Sequence, residues 1–431
     1  MSLASLVASF SPVNNCHDGN VSSPSAKAPR ALLAGRVLAF VGIDLVAFSM
    51  RAAVAALSPL IPQINQTYEL NTTAIGLLGS IAPLSFAFGG IVTPRIEKRI
   101  GLERTLIVAV LFMIAGHLIR ATSVNWQTLS LGTLLALVGM GFANVAMPPT
   151  VRKYVPDKVS TMTAIYMSVL SVSAFLPALI AVPVADAVTW RGSLLQWAIF
   201  PLIALIPWVL EFRSHRTDTH FTAPEASPQV KRVHSWRSPT AWAVGIVLAV
   251  SSVTGYAMYA WMPLILIDIA GATPAEAGAI LALFAGVGLP LAFVTPGLAK
   301  RMGKHAHWLV TISSLFYVVG YLGFLLSPEQ GTWLWAAILG TGCLEFPLAM
   351  VLVNLRTEHV RSSMALSGFA QIVAYVSAAA VVPLMGFIFS TTQNWTDVLI
   401  ALLVLSVAAN VPAALILRRN RTVDAELHSK N

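Results

Sequence analysis

Charged residues are scarce in this chain of 431 residues: Asp, Glu, Lys and Arg make up 10% of it, where a soluble globular protein carries about 25%. A mean hydropathy of +0.75 leaves too little polar surface to face water on all sides, so a water-soluble enzyme is excluded and lipid is the expected solvent. Cysteine is nearly absent as well. Cys16 falls in a polar stretch and Cys343 in a distant apolar run, which excludes a disulfide scaffold and a cysteine-based zinc cluster. Metal-ligand clusters, nucleotide-binding loops and nucleophile–base pairs at a suggestive spacing are also missing, so neither an integral membrane enzyme nor a bound cofactor or metal is expected. The first residues hold a short apolar patch, Leu3 to Phe10, with no basic region ahead of it, then a Ser-, Pro- and Asn-rich stretch. They read as a disordered tail over 1–35, not as a signal peptide.

What the chain does have is long apolar runs. A hydrocarbon core of about 30 Å takes roughly 20 apolar residues per helix. Twelve such runs lie near 37–59, 73–93, 105–122, 127–148, 162–183, 193–210, 240–264, 277–296, 307–326, 332–353, 364–389 and 396–417. An all-α integral membrane fold of twelve transmembrane helices is expected. Cytoplasmic loops retain positive charge during insertion, and with both termini inside, all but three of the 27 Lys and Arg lie on the cytoplasmic side. The exceptions are Arg51 within a span, Arg120 at an outer helix end and Arg191 in an outer loop. Outer loops carry Glu69, Asp186, Asp268, Glu276, Glu329 and Asp397. The net charge of +9 thus follows from topology and needs no nucleic-acid partner.

A direct repeat divides the chain. Val92-Thr93-Pro94 followed by Lys98-Arg99-x-Gly101 returns as Val294-Thr295-Pro296 followed by Lys300-Arg301-x-Gly303, and the same offset pairs Gly76 with Gly278 and Met162 with Met364. An offset one residue shorter pairs Gly139-x-Gly141-x-x-Asn144 with Gly340-x-Gly342-x-x-Glu345. The expected organisation is a six-helix half over 36–212, a polar cytoplasmic linker over 213–238, a second six-helix half over 239–418 and a cytoplasmic tail over 419–431, the halves forming a parallel repeat.

Two six-span halves with a basic Lys-Arg-x-Gly loop after the second span of each resemble the major facilitator superfamily. The family's loop signature places an acidic residue just ahead of Arg-x-Gly; here Lys98 and Lys300 take that place, with Glu97 adjacent in the first copy only. Within the superfamily the chain resembles the cyanate permease branch, which also contains a nitroimidazole exporter. The blocks that carry this are Met50-Arg51 with Pro59-Leu60, Asn144-Val145 with Pro148 and Arg152-Lys153, Trp190-Arg191, Trp261-x-Pro263, Phe346-Pro347-Leu348-Ala349, Leu366-Ser367-Gly368, Gln371, Tyr375, Pro383 and Gly386. Asp44 and Glu345 do not belong to that branch's pattern.

An ionisable side chain near the bilayer centre usually faces a cavity and has a function. The resemblance implies that spans one, four, seven and ten line the central cavity and that Arg51 lies in it. By helix rise, Arg51 sits roughly 13 Å below the outer interface, where its fork of donors suits a small planar anion; the alternative is an ion pair between spans, for instance with Glu345. Asp44, seven residues earlier in the sequence, shares a face with Arg51 but stands about 10 Å from it. An isolated carboxylate there can alternate between charged and neutral forms, as proton coupling requires; it can equally be a hydrogen-bonded acid at an inner gate. Glu345, roughly 21 Å deep, precedes Pro347, which removes a backbone donor and favours a local break. It is either a coupling or gating acid or a structural partner of Arg51 or of a nearby amide. Asn144 is its repeat counterpart.

Tyr166, Tyr256, Gln371 and Tyr375 are candidates to complete the pocket, and Tyr259 shares a face with Tyr256. Trp190, Trp261 and Trp395 read as membrane-interface anchors, and Arg120 reads as a snorkelling side chain on a peripheral span that also carries His117. The expected function is alternating-access transport of a small anionic or polar solute, cyanate-like, across a bacterial inner membrane by a monomer, with protons as the coupling ion. Lys98, Arg99, Gly101, Lys300, Arg301 and Gly303 would form the cytoplasmic gating loops. Drug efflux of the nitroimidazole kind and a transporter-like sensor without flux are the alternatives.

Overall fold

The computed structural model of the protein describes residues 32–214 and 235–428. The expected tail over 1–35 and linker over 213–238 therefore fall for the most part outside the described residues. Those described are overwhelmingly helical, with no strand among them. Twelve helices are long and apolar enough to cross a membrane: α1 (Val37–Asn65), α2 (Thr72–Ile100), α3 (Leu102–Ala121), α4 (Trp126–Tyr154), α5 (Thr161–Ala187), α6 (Trp190–Arg213), α7 (Pro239–Ala270), α8 (Pro274–His305), α9 (His307–Leu326), α10 (Pro328–Leu355), α11 (Ser362–Thr392) and α12 (Trp395–Arg418). A short helix, α13 (Val423–His428), follows.

The punctuation between the spans is local chemistry. Asn71 caps α2 by accepting from the Ala74 N–H at 2.8 Å, and Asn125 with Thr128 and Thr273 with Glu276 form reciprocal capping boxes at α4 and α8. Gly101 and Gly303 end the α2 and α8 regions with φ of +87° and +50°, a backbone that side chains with a Cβ adopt at a cost. The repeated glycine of the Lys-Arg-x-Gly block thus takes a positive φ in both copies, while ψ differs, 165° at Gly101 and −108° at Gly303.

Three spans break ahead of a proline four or five residues downstream. The first segment of α1 ends at Ala55 before Pro59, that of α8 at Gly286 before Pro290, and that of α10 at Gly342 before Pro347. A proline lacks the N–H that the carbonyl four residues back would have accepted from. In α10 the freed carbonyls find hydroxyls instead: the Ser313 Oγ donates to the Gly342 carbonyl at 2.5 Å, and the Ser251 Oγ to the Cys343 carbonyl at 3.4 Å.

Packing differs between the two ends of the bundle. One end carries the Lys- and Arg-rich loops and the other the acidic loops. Toward the acidic end, residues of α1–α6 and of α7–α12 share one hydrophobic core; toward the basic end, a separate core is built from residues of α7–α13 and their connections alone. The shared core closes on glycines. A Cβ on Gly79 of α2 would stand 2.7 Å from the Ala260 Cβ, and one on Gly278 of α8 would stand 2.7 Å from the Ala178 carbonyl oxygen of α5. The two sets of six spans are therefore sealed together at the acidic end and parted at the basic end.

The C-terminal segment docks at the basic end. Glu426 accepts hydrogen bonds from the Ser238 Oγ (2.5 Å), the Thr240 Oγ1 (2.8 Å) and the Thr240 N–H (3.2 Å) at the start of α7. Asp424 accepts from the Glu358 N–H at 2.7 Å and from the Ser362 hydroxyl, tying the α10–α11 turn to α13.

Candidate functional site

Arg51 lies in the middle of α1, half-buried, four residues before the helix segment ends at Ala55. Its guanidinium carbon is 5.7 Å from the centre of the Phe86 ring of α2. Its electrostatic neighbours are the hydroxyls of Tyr256 and Tyr259 on α7 and Tyr375 on α11. These rings form one cluster: Phe86 stacks on Tyr375 at 5.9 Å, Tyr256 meets Tyr375 edge-on at 6.5 Å, and Tyr259 meets Phe284 of α8 edge-on at 6.4 Å. No carboxylate pairs with Arg51 among the described residues. A guanidinium among aromatic faces and phenol hydroxyls, without a counter-ion, offers the donors and ring faces that suit an anion or a flat polar molecule.

The cluster lies where the two sets of spans part. α7 is the most enclosed span of the twelve, yet Gly255 and Tyr259, four apart on one face, keep partial exposure, and a Cβ on Gly255 would meet open space. That face looks into a cavity. Toward the acidic end the cluster borders a small cavity of about 30 Å3 lined by Ser58, Leu78, Thr133, Tyr256 and Tyr259 among others. The Ser58 hydroxyl is buried without a hydrogen-bond partner, a free polar handle in an otherwise apolar wall.

The structure thus brings Arg51, Tyr256 and Tyr375 together and adds Phe86 and Tyr259. Phe86 carries no sequence signal that separates it from a core phenylalanine. Gln371 sits one turn from Tyr375, half-buried, and donates to the Ser367 Oγ at 3.0 Å. Asn144 is half-buried on α4. Tyr166 is buried on α5 in the shared core, apart from the tyrosine cluster. Asp44 is half-buried on α1, with Oδ1 enclosed and without a hydrogen-bond partner.

Glu345 is placed elsewhere. It is fully buried at the α10 break and accepts from the Asn410 Nδ2 of α12 at 2.7 Å, while its Oε2 meets no donor. Ser313 and Tyr317 of α9 flank it. The ion pair with Arg51 that the sequence left open is not formed; the nearby amide is the partner. The geometric reason is azimuth, because Glu345 points outward to α9 and α12 and not inward to α1. Asn410, an amide inside an apolar span, carried the same kind of sequence signal as Asn144.

At the basic end Lys98, Arg99, Lys300 and Arg301 are exposed, and none forms an ion pair among the described residues. The ion pair there is instead Lys153 of α4 with Glu103 of α3, to which the Tyr154 hydroxyl also donates at 2.7 Å.

Two further expectations are corrected. Trp190, Trp261 and Trp395 are buried, not interface anchors: their indole N–H groups donate to the Thr67 Oγ1 (2.9 Å), the Val382 carbonyl (3.0 Å) and the Asp268 Oδ2 (2.6 Å). Each indole nitrogen found an acceptor within the protein, so the ring had no need of the water–lipid boundary. Arg120 does not snorkel. It is fully buried with His117, because Gly116 and Gly132 let α3 and α4 approach so closely that a Cβ on Gly132 would stand 2.7 Å from the Arg120 backbone nitrogen.

Comparison with known proteins agrees with this architecture. The chain is 32% identical over 366 residues to the uncharacterized transporter YycB of Bacillus subtilis (strain 168), covering 84% of this chain and 89% of that one. It is 30% identical over 380 residues to the 2-nitroimidazole transporter of Escherichia coli (strain K12), covering 86% and 93%. It is 24% identical over 355 residues to the cyanate transport protein CynX of the same organism, covering 81% and 90%. Among solved structures, a bacterial homolog of the human lysosomal transporter Spinster, inward-facing and unoccupied, superposes with a TM-score of 0.74 at 14% identity, over 90% of this chain and 98% of that one. The family model described as Major Facilitator Superfamily matches residues 43–379. Twelve spans, a cavity between two sets of six, and that match over most of the chain make this multi-pass membrane protein a member of the Major Facilitator Superfamily, a transporter of small solutes and not an enzyme.

Proposed function

We propose that the chain carries a small anionic or polar solute across a bacterial inner membrane by alternating access, with Arg51 as the solute's anchor. The observation that supports this is the Arg51 guanidinium, partly accessible and without a carboxylate partner, facing Phe86, Tyr256, Tyr259 and Tyr375. An unpaired cation in a low-dielectric cavity attracts an anion of matching shape. Asn144 and Gln371 complete the polar lining, and Tyr166 lies on the α5 wall. The basic end is cytoplasmic by the distribution of Lys and Arg, so both termini are cytoplasmic and this state opens inward. Lys98, Arg99, Lys300 and Arg301 then flank the open mouth, and Gly101 and Gly303 form their turns. Protons drive the cycle through Asp44 in the cavity wall or through Glu345 at the α10 break.

A second reading is outward carriage of flat neutral compounds. It is favoured by the four rings around Arg51 and by the 30% identity to a 2-nitroimidazole transporter. Thermal shift of the purified protein against cyanate, nitrate, nitrite and formate, and against nitroimidazoles, separates the two when repeated with Arg51→Ala. A small anion that stabilises the wild type alone supports anion carriage. Stabilisation of both proteins by nitroimidazoles alone overturns it in favour of efflux. Equilibrium binding without counterflow in liposomes would make the protein a sensor.

A further inference from the structure

We propose that the acidic end of the first six spans holds a second anion site, for a monovalent inorganic anion of chloride size, built around Arg120 and separate from the Arg51 cavity. Arg120 is 0% exposed, and all three of its guanidinium nitrogens lack a hydrogen-bond partner. His117, one turn earlier on α3, is equally buried, with the Leu194 backbone beside its ring.

The surrounding groups are polar: the Ser123 hydroxyl donates to the Arg120 carbonyl at 2.8 Å. The Tyr68 hydroxyl, 3.0 Å from the Ser123 Oγ, is the phenol that interacts electrostatically with both Arg120 and Arg191. Burial pushes the Tyr68 phenol above its usual range, so it keeps its proton, and with the Ser123 proton directed to the Arg120 carbonyl it donates to the Ser123 Oγ. Arg191 lies over the Trp190 ring at 4.3 Å and donates to the Ser123 carbonyl at 3.0 Å, while the Trp190 ring meets Tyr68 edge-on at 6.0 Å. Arg120 of α3, with His117 one turn away, therefore meets the Tyr68 hydroxyl of the turn before α2, which Arg191 of α6 also faces. No carboxylate pairs with any of them among the described residues.

A buried ion without a counter-charge is among the least favourable arrangements in a protein, and guanidinium does not relieve it by losing its proton. The missing element is a negative charge. With Arg120 fully enclosed, a lipid headgroup is too large to reach it, whereas a halide needs only a few donors and little space. Bound there, the anion would join α3 to the outer ends of α4 and α6 within the first six spans.

The test uses the full chain in detergent at constant ionic strength, with chloride exchanged for gluconate. Wild type and Arg51→Ala are expected to unfold several degrees higher in chloride, and Arg120→Met to unfold at one temperature in both salts. A crystal grown in bromide should show an anomalous peak beside Arg120. If Arg120→Met fails to fold, the wild-type titration and the bromide peak still decide. Absence of chloride dependence in the wild type, its persistence in Arg120→Met, its loss in Arg51→Ala, or a bromide crystal without that peak overturns the proposal. The outcome is independent of which solute Arg51 carries.

Discussion

The Arg51 guanidinium lies 5.7 Å from the centre of the Phe86 ring, so a cation on α1 is held against an aromatic face on α2, within the first six spans. Two of the three tyrosines that complete its surroundings come from α7 and the third from α11. One half of the protein therefore presents the charge and the other presents the hydroxyls. Rocking of the halves would change their separation, and with it the affinity for a solute bridging them.

Arg51→Ala is expected to abolish binding of an anionic solute, and Arg51→Lys to weaken it. A hydrogen bond to a charged group contributes about 1.5–3 kcal/mol, so losing the guanidinium fork weakens binding by at least 10-fold. Lysine keeps the charge but not the planar fork, and falls between. Phe86→Leu keeps the bulk and removes the ring face, with an expected loss of about 0.5–2 kcal/mol. Titration calorimetry with the solute found in the thermal-shift screen reads all three.

Removal of the Glu426 carboxylate tests the docking of α13. Glu426 receives three hydrogen bonds from Ser238 and Thr240 at the start of α7, and Ser238 itself caps α7 by accepting from the Ala241 N–H at 3.1 Å. Glu426→Ala leaves these donors without their acceptor and should destabilise the protein by about 1–3 kcal/mol, seen as a lower Tm in detergent. Glu426→Gln, which still accepts, should lose less. Neither substitution touches the Arg51 cluster, so solute affinity in the folded protein should stay at the wild-type value.

The twelve spans and the repeated loop were readable in the sequence because run length, charge placement and the glycine of Lys-Arg-x-Gly are local properties. Depth was readable too: counting along α1 puts Arg51 at cavity level. Direction around a helix was not. A span that is apolar on every face gives no periodic signal to fix its rotation, and the α10 break at Cys343 resets the phase just before Glu345. Hence Glu345 could be counted to its depth yet was free to face Arg51 or, as the structure has it, Asn410. The burial of Arg120 was hidden for a related reason. Gly116 and Gly132 admit a close approach of α3 to α4, but only when both helices are in place.

Gly79 is where the acidic end can be forced apart. Its Cβ would stand 2.7 Å from the Ala260 Cβ and 2.8 Å from the Val382 Cγ1, in contact with α7 and α11. Gly79→Val should cost the sealed state about 1–3 kcal/mol by overpacking, roughly a 5- to 150-fold shift toward a state open at that end. Spin labels at Gln66 and Thr391, both exposed near the acidic ends of the two halves, would report a longer mean distance in the variant. An unchanged distance would mean that the neighbouring side chains give way instead.

Glu345 offers the sharpest separation of structural from transport roles. Buried, bonded on one oxygen to Asn410 and unpartnered on the other, its carboxyl group is costly as an anion and acceptable as a neutral acid. Glu345→Gln keeps an acceptor for the Asn410 amide and stays neutral, so stability should remain within about 1 kcal/mol of wild type. Asn410→Leu deprives the carboxyl group of that bond and should cost about 1–3 kcal/mol. If proton movement at this site drives the cycle, Glu345→Gln liposomes should retain solute counterflow, which needs no net proton transfer, and lose accumulation driven by a pH gradient. Wild-type accumulation in the variant would assign Glu345 a purely structural role and leave Asp44 as the coupling group.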